Sequence, residues 1–323
     1  MLKFQQPAKE YGDVFLEDTD KPLPEKLNPN TRYMFLGEVA KGGKSLIKSV
    51  KDRHLNRVVA YKTLRSEFVD DEVENTRLLR EARVSAMLQH PNTMPVYEVG
   101  RDNHGHLYFT MKLVHGYTLR EIMDYRDRYD LPQLIEVIEQ IAQALAYAHA
   151  HGVAHRDIKP ENILVGPYGE VLLLDWGLAK VWSKDGKAPD ESTYDEKQLT
   201  DSNKSMTGHG KAQGSVCYMS PEQIRRDPEI SYSTDIYSLG SVLYELLTGR
   251  PPFDSDKVYE ITSAVQNDAP PPPADVSKYR IPKTLANLSL KCLQKNPADR
   301  PGSMDEIISI LNQDWLSELV GRK

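Results

Sequence analysis

The stretch HRDIKPEN, residues 155 to 162, followed at 172 to 177 by LLLDWG, decides how the rest of the chain is read. It sets two carboxylates, Asp157 and Asp175, 18 residues apart with the amide of Asn162 between them. One such pattern alone is weak. Here it belongs to a series that runs in order along the chain: VAYK (59–62), LLREAR (78–83), HPN (90–92), HRDIKPEN, DWG (175–177), MSPE (219–222), DIYSLG (235–240) and NPADRP (296–301).

Upstream of this stretch, from Tyr33 to Lys62, short runs rich in β-branched and aromatic residues, such as RVVAYKTL, are broken by glycine and polar clusters and predict an antiparallel sheet. A helix is expected at about 70–89, with Leu78, Leu79, Ala82 and Ala86 on one side and Arg77, Arg80, Glu81 and Arg83 around the rest. PVYEVG and LYFTMKLV add two strands and end the small sheet near residue 114. Beyond it the chain turns helical. Leu134, Ile138, Ile141, Leu145 and Ala148 form a stripe that stops at His151 and Gly152, Gly249 caps the helix of DIYSLGSVLYELLTG, and MDEIISILNQDW forms a late helix. The run PPPP at 270–273 reads as a short polyproline II connector.

Bulk properties narrow the class. With 323 residues, 39% hydrophobic and 27% charged, the chain can bury a sizeable core, and a net charge of −6 gives no overall basic footprint for nucleic acid. Only two cysteines occur, without metal-ligand spacing, which fits a reducing, cytoplasmic setting. The apolar run 131–150 carries Glu136 and Glu139, so no membrane span is expected. Residues 1–30, with four prolines and little periodicity, read as an extension. Residues 183–213 are polar and hydroxyl-rich, the composition of a long functional loop.

Taken with its order, the motif series resembles the eukaryotic-like serine/threonine protein kinase family, in particular its bacterial branch, from about Tyr33 to the C-terminal helix. The resemblance implies an α+β, bilobal fold: a small antiparallel-sheet N-lobe with one main helix (about 31–111) and a larger, mostly helical C-lobe (about 115–316), with an activation segment at 175–222 and a tail at 317–323. It implies ATP and Mg²⁺ as cofactors and proteins bearing Ser or Thr as substrates. Phosphoryl transfer needs positioning and charge neutralisation more than covalent chemistry, hence the residue types. By resemblance Asp157 is the acceptor of the substrate proton, and Lys159 neutralises the γ-phosphate and marks Ser/Thr specificity. Asn162 and Asp175 are hard oxygen ligands for Mg²⁺. Lys62 is the phosphate lysine and Glu81 its ion-pair partner, with Glu72 and Glu74 lying about two turns upstream and fitting less well. Ala60, the gatekeeper Met111, the hinge Lys112, Leu113 and Val114, and the floor residue Leu164 surround adenine. Arg156 would anchor a phosphorylated activation segment. Glu222 is expected to pair with Arg300, and Asp235 to organise the catalytic-loop backbone.

Two departures stand out. Counting back from Lys62 sets the roof of the nucleotide site at Ile47 and the three loop glycine positions, just after Val39, at Ala40, Gly42 and Ser45. One glycine survives, and Ser45 puts a Cβ where the loop backbone ordinarily nears the phosphates. The Ser45 hydroxyl or Lys44 is then the candidate phosphate contact. The second departure is Trp176, which replaces a phenylalanine and is expected to pack under the N-lobe helix. The alternative to an active kinase is a pseudokinase or nucleotide-binding scaffold with an altered loop. For an active enzyme, autophosphorylation is expected among Thr200, Ser202, Ser205 and Thr207, with Ser215 at the substrate-facing position.

Overall fold

In the computed structural model, residues 31–182 and 215–319 are described. The N-lobe is a five-stranded antiparallel sheet: β1 Tyr33–Lys41, β2 Ser45–Asp52, β3 Arg57–Leu64, β4 Val96–Arg101 and β5 Leu107–Met111, in the order β1-β2-β3-β5-β4. β5 ends at Met111, short of the expected 114, although the Lys112 amide still reaches the carbonyl of Pro95, next to β4, at 3.1 Å. Helix α1, Glu72–Met87, begins where the Asp71 carboxylate accepts from the amides of Val73 and Glu74. That cap satisfies two of the donors every helix start leaves open. Leu78 and Ala82 face the core as expected, whereas Ala86 is exposed and Glu74, Glu81, Val84 and Ser85 are buried. The buried face of α1 therefore carries two carboxylates, and a purely apolar stripe misplaces it.

The C-lobe follows through β6 Tyr117–Thr118, α2 Leu119–Asp124 and α3 Leu131–Ala150, the last opening on a reciprocal Asp130–Gln133 capping box. The strands β7 Val153–Ala154, β8 Ile163–Val165, β9 Val171–Leu173 and β10 Lys180–Val181 then carry the catalytic-loop stretch, pairing as β6-β8-β9 and β10-β7. Helices α4 Pro221–Arg225, α5 Ser233–Thr248, α6 Val258–Asn267, α7 Pro273–Val276, α8 Lys283–Cys292 and α9 Met304–Leu311 complete it. Gly249 closes α5 at φ 83°, as its position predicts. Pro273, expected within an extended run, instead starts the one-turn α7, where a proline needs no amide partner. At the C-terminal end the Glu318 carboxylate accepts from Thr284 and Arg280 holds the carbonyls of Glu318 and Leu319, so residues 316–319 are docked on the lobe where a tail from 317 was expected.

Two hydrophobic clusters match the two lobes. The larger gathers α3, α5, α8 and α9 with β8 and β9, and the smaller lies between the N-lobe sheet and α1. α5 is buried from Thr234 through Thr248. It sits so close to α8 that a Cβ on Gly240 would stand 2.3 Å from Cβ of Cys292, and only glycine fits there.

As expected from MSPE and NPADRP, Arg300 forks onto both carboxylate oxygens of Glu222 at 2.6 and 2.8 Å. Its remaining donors reach the carbonyls of Gln294, Ser233 and Lys295, and its side chain is fully buried. Arg300→Ala strands a buried carboxylate and is expected to cost about 3–5 kcal/mol of stability, while the double change Glu222→Leu with Arg300→Met costs less, its remaining loss coming from the three carbonyls left without Arg300. Urea unfolding midpoints of the two variants check this; equal losses would mean the pair's charge is not what matters.

Candidate active site

The catalytic-loop stretch is fixed from beneath by Asp235, which is fully buried on α5. Its two oxygens accept from the amides of His155 and Arg156, each at 2.8 Å, and one also takes Nε2 of His149 at 2.8 Å. Burial would raise this carboxyl, but the His149 hydrogen bond and charge, with His155 and the Arg156 amide, together hold the group below the ordinary carboxylate value. Arg156 is thereby held at φ 66°, a conformation L-residues rarely adopt. The Asp157 amide donates to Nδ1 of His155, leaving Nε2 of that ring to donate to the Leu174 carbonyl. Asp157 and the strand entering Asp175 are therefore tied to the same imidazole.

At the cleft, Lys159 Nζ lies 2.9 and 2.8 Å from the two carboxylate oxygens of Asp157 and 3.3 Å from the Ser215 hydroxyl. Asn162 donates through Nδ2 to the backbone carbonyl and a carboxylate oxygen of Asp157 at 2.8 and 3.0 Å, which leaves its amide oxygen available as a ligand. Asp175 adopts φ 63° and accepts from the Gly177 amide. Burial opposes its charge, yet Lys62 and Lys159 together hold the carboxyl below its ordinary value. Lys62 Nζ is 2.6 and 2.7 Å from the oxygens of Glu81. Trp176 is fully buried edge-on to His155 with ring centroids 4.6 Å apart, and its segment lies against α1, so the larger aromatic is accommodated.

The expected adenine-lining residues converge in part. Ala60 and Met111 are paired across β3 and β5 and share one apolar cluster with Ile47, Leu113, Val114 and Leu164. Lys112 points outward toward Glu170, at 3.7 Å. Val39 stands outside the cluster, 46% exposed, like most of the edge strand β1, and the β1–β2 register slips between Glu38 and Ala40. Ala40 pairs with Ile47, and the turn closes with the Gly42 amide on the Ser45 carbonyl at 2.9 Å. A Cβ on Gly42 would come 3.1 Å from the Ser45 hydroxyl, so the surviving glycine makes room for the serine. Gly42, Lys44, Lys62, Glu81, Asp157 and Asp175 all line one cleft of about 300 Å³.

Two polar groups are not legible in the sequence. Glu74, a poorer fit than Glu81 by position, is buried in the cleft wall and holds both Lys44 and Arg77. Arg120 joins Glu161 of the catalytic-loop stretch to Glu245 of α5, and Tyr218 donates to Glu245 beside it. The Lys44–Glu74 pair and the Arg120 pairs are long-range, and no local pattern links their partners. The residues Thr200, Ser202, Ser205 and Thr207 lie outside the described residues.

Residues 33–316 match the protein kinase domain family. The chain is 36% identical over 290 residues to the serine/threonine-protein kinase PknD of Protochlamydia amoebophila, covering 85% of this chain and 29% of that protein. It is 36% identical over 283 residues to a probable serine/threonine-protein kinase of Clostridium acetobutylicum, covering 88% and 40%. It is also 34% identical over 268 residues to PknD of Mycobacterium tuberculosis, covering 83% and 37%. The chain belongs to the bacterial-type serine/threonine protein kinase family. It spans between 29% and 40% of the length of these three relatives.

For a kinase domain the electrostatics of the Lys62–Glu81 pair has a direct consequence. Burial pushes the Glu81 carboxyl up to about 7, against the opposing pull of Lys62. Lowering the pH through that value adds a proton to Glu81, removes its negative charge and releases Lys62 from it. Turnover, measured as kcat/KM for ATP between about pH 5.5 and 8.5, is expected to fall on the acid side of about 7. Glu81→Gln, neutral throughout, should be weak and lack this limb. A wild-type profile that is flat through neutrality would show that Glu81 keeps its charge.

Proposed function

We propose that this chain transfers the γ-phosphoryl group of Mg·ATP to serine and threonine hydroxyls of proteins. The observation that carries the reading is Lys159 bridging the Asp157 carboxylate and a serine hydroxyl, at 2.8 and 3.3 Å. A hydroxyl at that place has a base and a cation at hand. The substrate oxygen bonds to the γ-phosphorus as the bond from phosphorus to the ADP oxygen breaks, and the hydroxyl proton passes to Asp157. Lys159 offsets charge on the transferring group, and Lys62, oriented by Glu81, holds the α- and β-phosphates.

ATP and a divalent cation are the family's ordinary requirement. We assign Mg²⁺ to the Asn162 amide oxygen and the Asp175 carboxylate, since two hard oxygen donors suit an ion that takes few protein ligands and keeps water. When bound, the ion neutralises charge on the β- and γ-phosphates. Ser/Thr acceptors are supported by Lys159 and by relatives that are named serine/threonine kinases.

A cytoplasmic setting belongs to the same proposal: both thiols are free and buried, and burial pushes each up to about 12, which makes them inert. Among the described residues no helix is long and apolar enough to cross a membrane. We further propose autophosphorylation among Thr200, Ser202, Ser205 and Thr207, where added phosphate could be captured by Arg156.

Asp157→Asn is expected to abolish transfer to a generic basic protein while ATP still binds, and Lys62→Met to lose both. Labelled ATP measures the transfer and calorimetry the binding. Wild-type turnover in Asp157→Asn would remove that residue from the chemistry, and absence of transfer by the unaltered chain would favour a nucleotide-binding scaffold. Mass spectrometry after incubation with Mg·ATP should find phosphate between residues 183 and 215; full activity without it would discard the autophosphorylation step.

A further inference from the structure

Glu74 and Glu81 are seven residues apart on α1, two helical turns, and both face the cleft. Each holds one lysine. Glu81 takes Lys62 from β3, and Glu74 takes Lys44 from the tip of the β1–β2 turn at 2.5 Å. The second pair has features the first lacks. Glu74 is also held by Arg77 at 2.8 Å, so loss of Lys44 would not strand a buried carboxylate. The Lys44 side chain is 27% exposed, against 10% for Lys62. The turn backbone is pinned independently, with the Arg65 amide on the Lys44 carbonyl and the Arg65 guanidinium on the Gly43 carbonyl, each at 2.9 Å. The Lys44 ammonium can therefore leave Glu74 by side-chain rotation while the turn stays in place.

We propose that Lys44 is a phosphate-binding residue of this kinase, parked on Glu74 and transferred to the terminal phosphates when a nucleoside triphosphate enters. It supplies as a side-chain cation part of the phosphate contact that the Cβ atoms of Ala40 and Ser45 hinder the turn backbone from making. The polyphosphate carries more charge than the single carboxylate it replaces, and Arg77 retains Glu74 afterwards. This assignment rests on the kinase reading given above.

The test is calorimetric titration of the full chain with Mg·ATP, Mg·ADP and adenosine, alongside transfer assays and melting curves. Lys44→Met is expected to weaken ATP binding roughly tenfold, ADP less, and adenosine not at all, because a charge-assisted contact to phosphate is lost. Glu74→Gln should leave ATP affinity equal or tighter, since it frees Lys44. The proposal is overturned if Lys44→Met leaves ATP affinity unchanged, if it weakens adenosine equally, or if Glu74→Gln weakens ATP as much as Lys44→Met does, which would make the pair a static brace. Failure of the unaltered chain to bind or turn over ATP would instead overturn the kinase reading; Lys62→Met, run in parallel, separates the two.

Discussion

The cleft depends on one buried carboxylate that does not line it. Asp235 sits at zero exposure on a helix that is itself buried, and it takes the amides of two consecutive residues, His155 and Arg156. Two neighbouring amides can point at one carboxylate only if the backbone turns sharply, and Arg156 turns at φ 66°. A strained conformation of this kind persists only where its surroundings over-determine it. Here they do: Gln223 of α4 donates to the Arg156 carbonyl, and the Arg156 side chain donates to the carbonyl of Leu178. The place of Asp157 is thus inherited from α5, and the place of α5 from Gly240 against Cys292 and from Arg300 against Ser233 and Glu222.

The ion pairs of this molecule act as positioning devices more than as sources of stability. A buried pair recovers little beyond the cost of removing its charges from water, whereas breaking one leaves a large penalty. That asymmetry suits Lys62, which must be held by Glu81 yet stay within the influence of Asp175. It also suits Arg120, which fastens α2, Glu161 and Glu245 together directly beside the catalytic loop. Neighbouring parts of the cleft are therefore registered by charge at points where apolar packing alone would tolerate sliding.

What could be read from the sequence follows from which forces are local. The 3.6-residue stripe of α3, the Gly249 cap and the motif spacings are properties of short windows, and the structure contains them. The Lys62–Glu81, Glu222–Arg300 and Asp235 contacts span long separations and were legible only because a family resemblance linked their motifs. Glu74 carries neither signal: apolar residues mark the buried face of a helix in sequence, and a carboxylate buried by two cations looks like a solvent-facing one. The slip at Val39 is illegible for a related reason, since register is set by the neighbouring strand.

The altered turn between β1 and β2 shows how a constraint can move from one residue to another. Glycines at such a turn let the backbone approach a phosphate, at the cost of a chain that loses more freedom on ordering. In this protein Ser45 occupies one of those positions, and Gly42 is kept where the serine hydroxyl needs its space. Arg65 then ties two successive carbonyls of the tip to the start of the segment leading into α1, through its backbone amide to Lys44 and its guanidinium to Gly43. A turn anchored in this way gives up freedom before nucleotide arrives, and less ordering remains to oppose binding. Lost glycines therefore need not mean a lost site, because rigidity at the tip and a cation beside it address the same two requirements by other means.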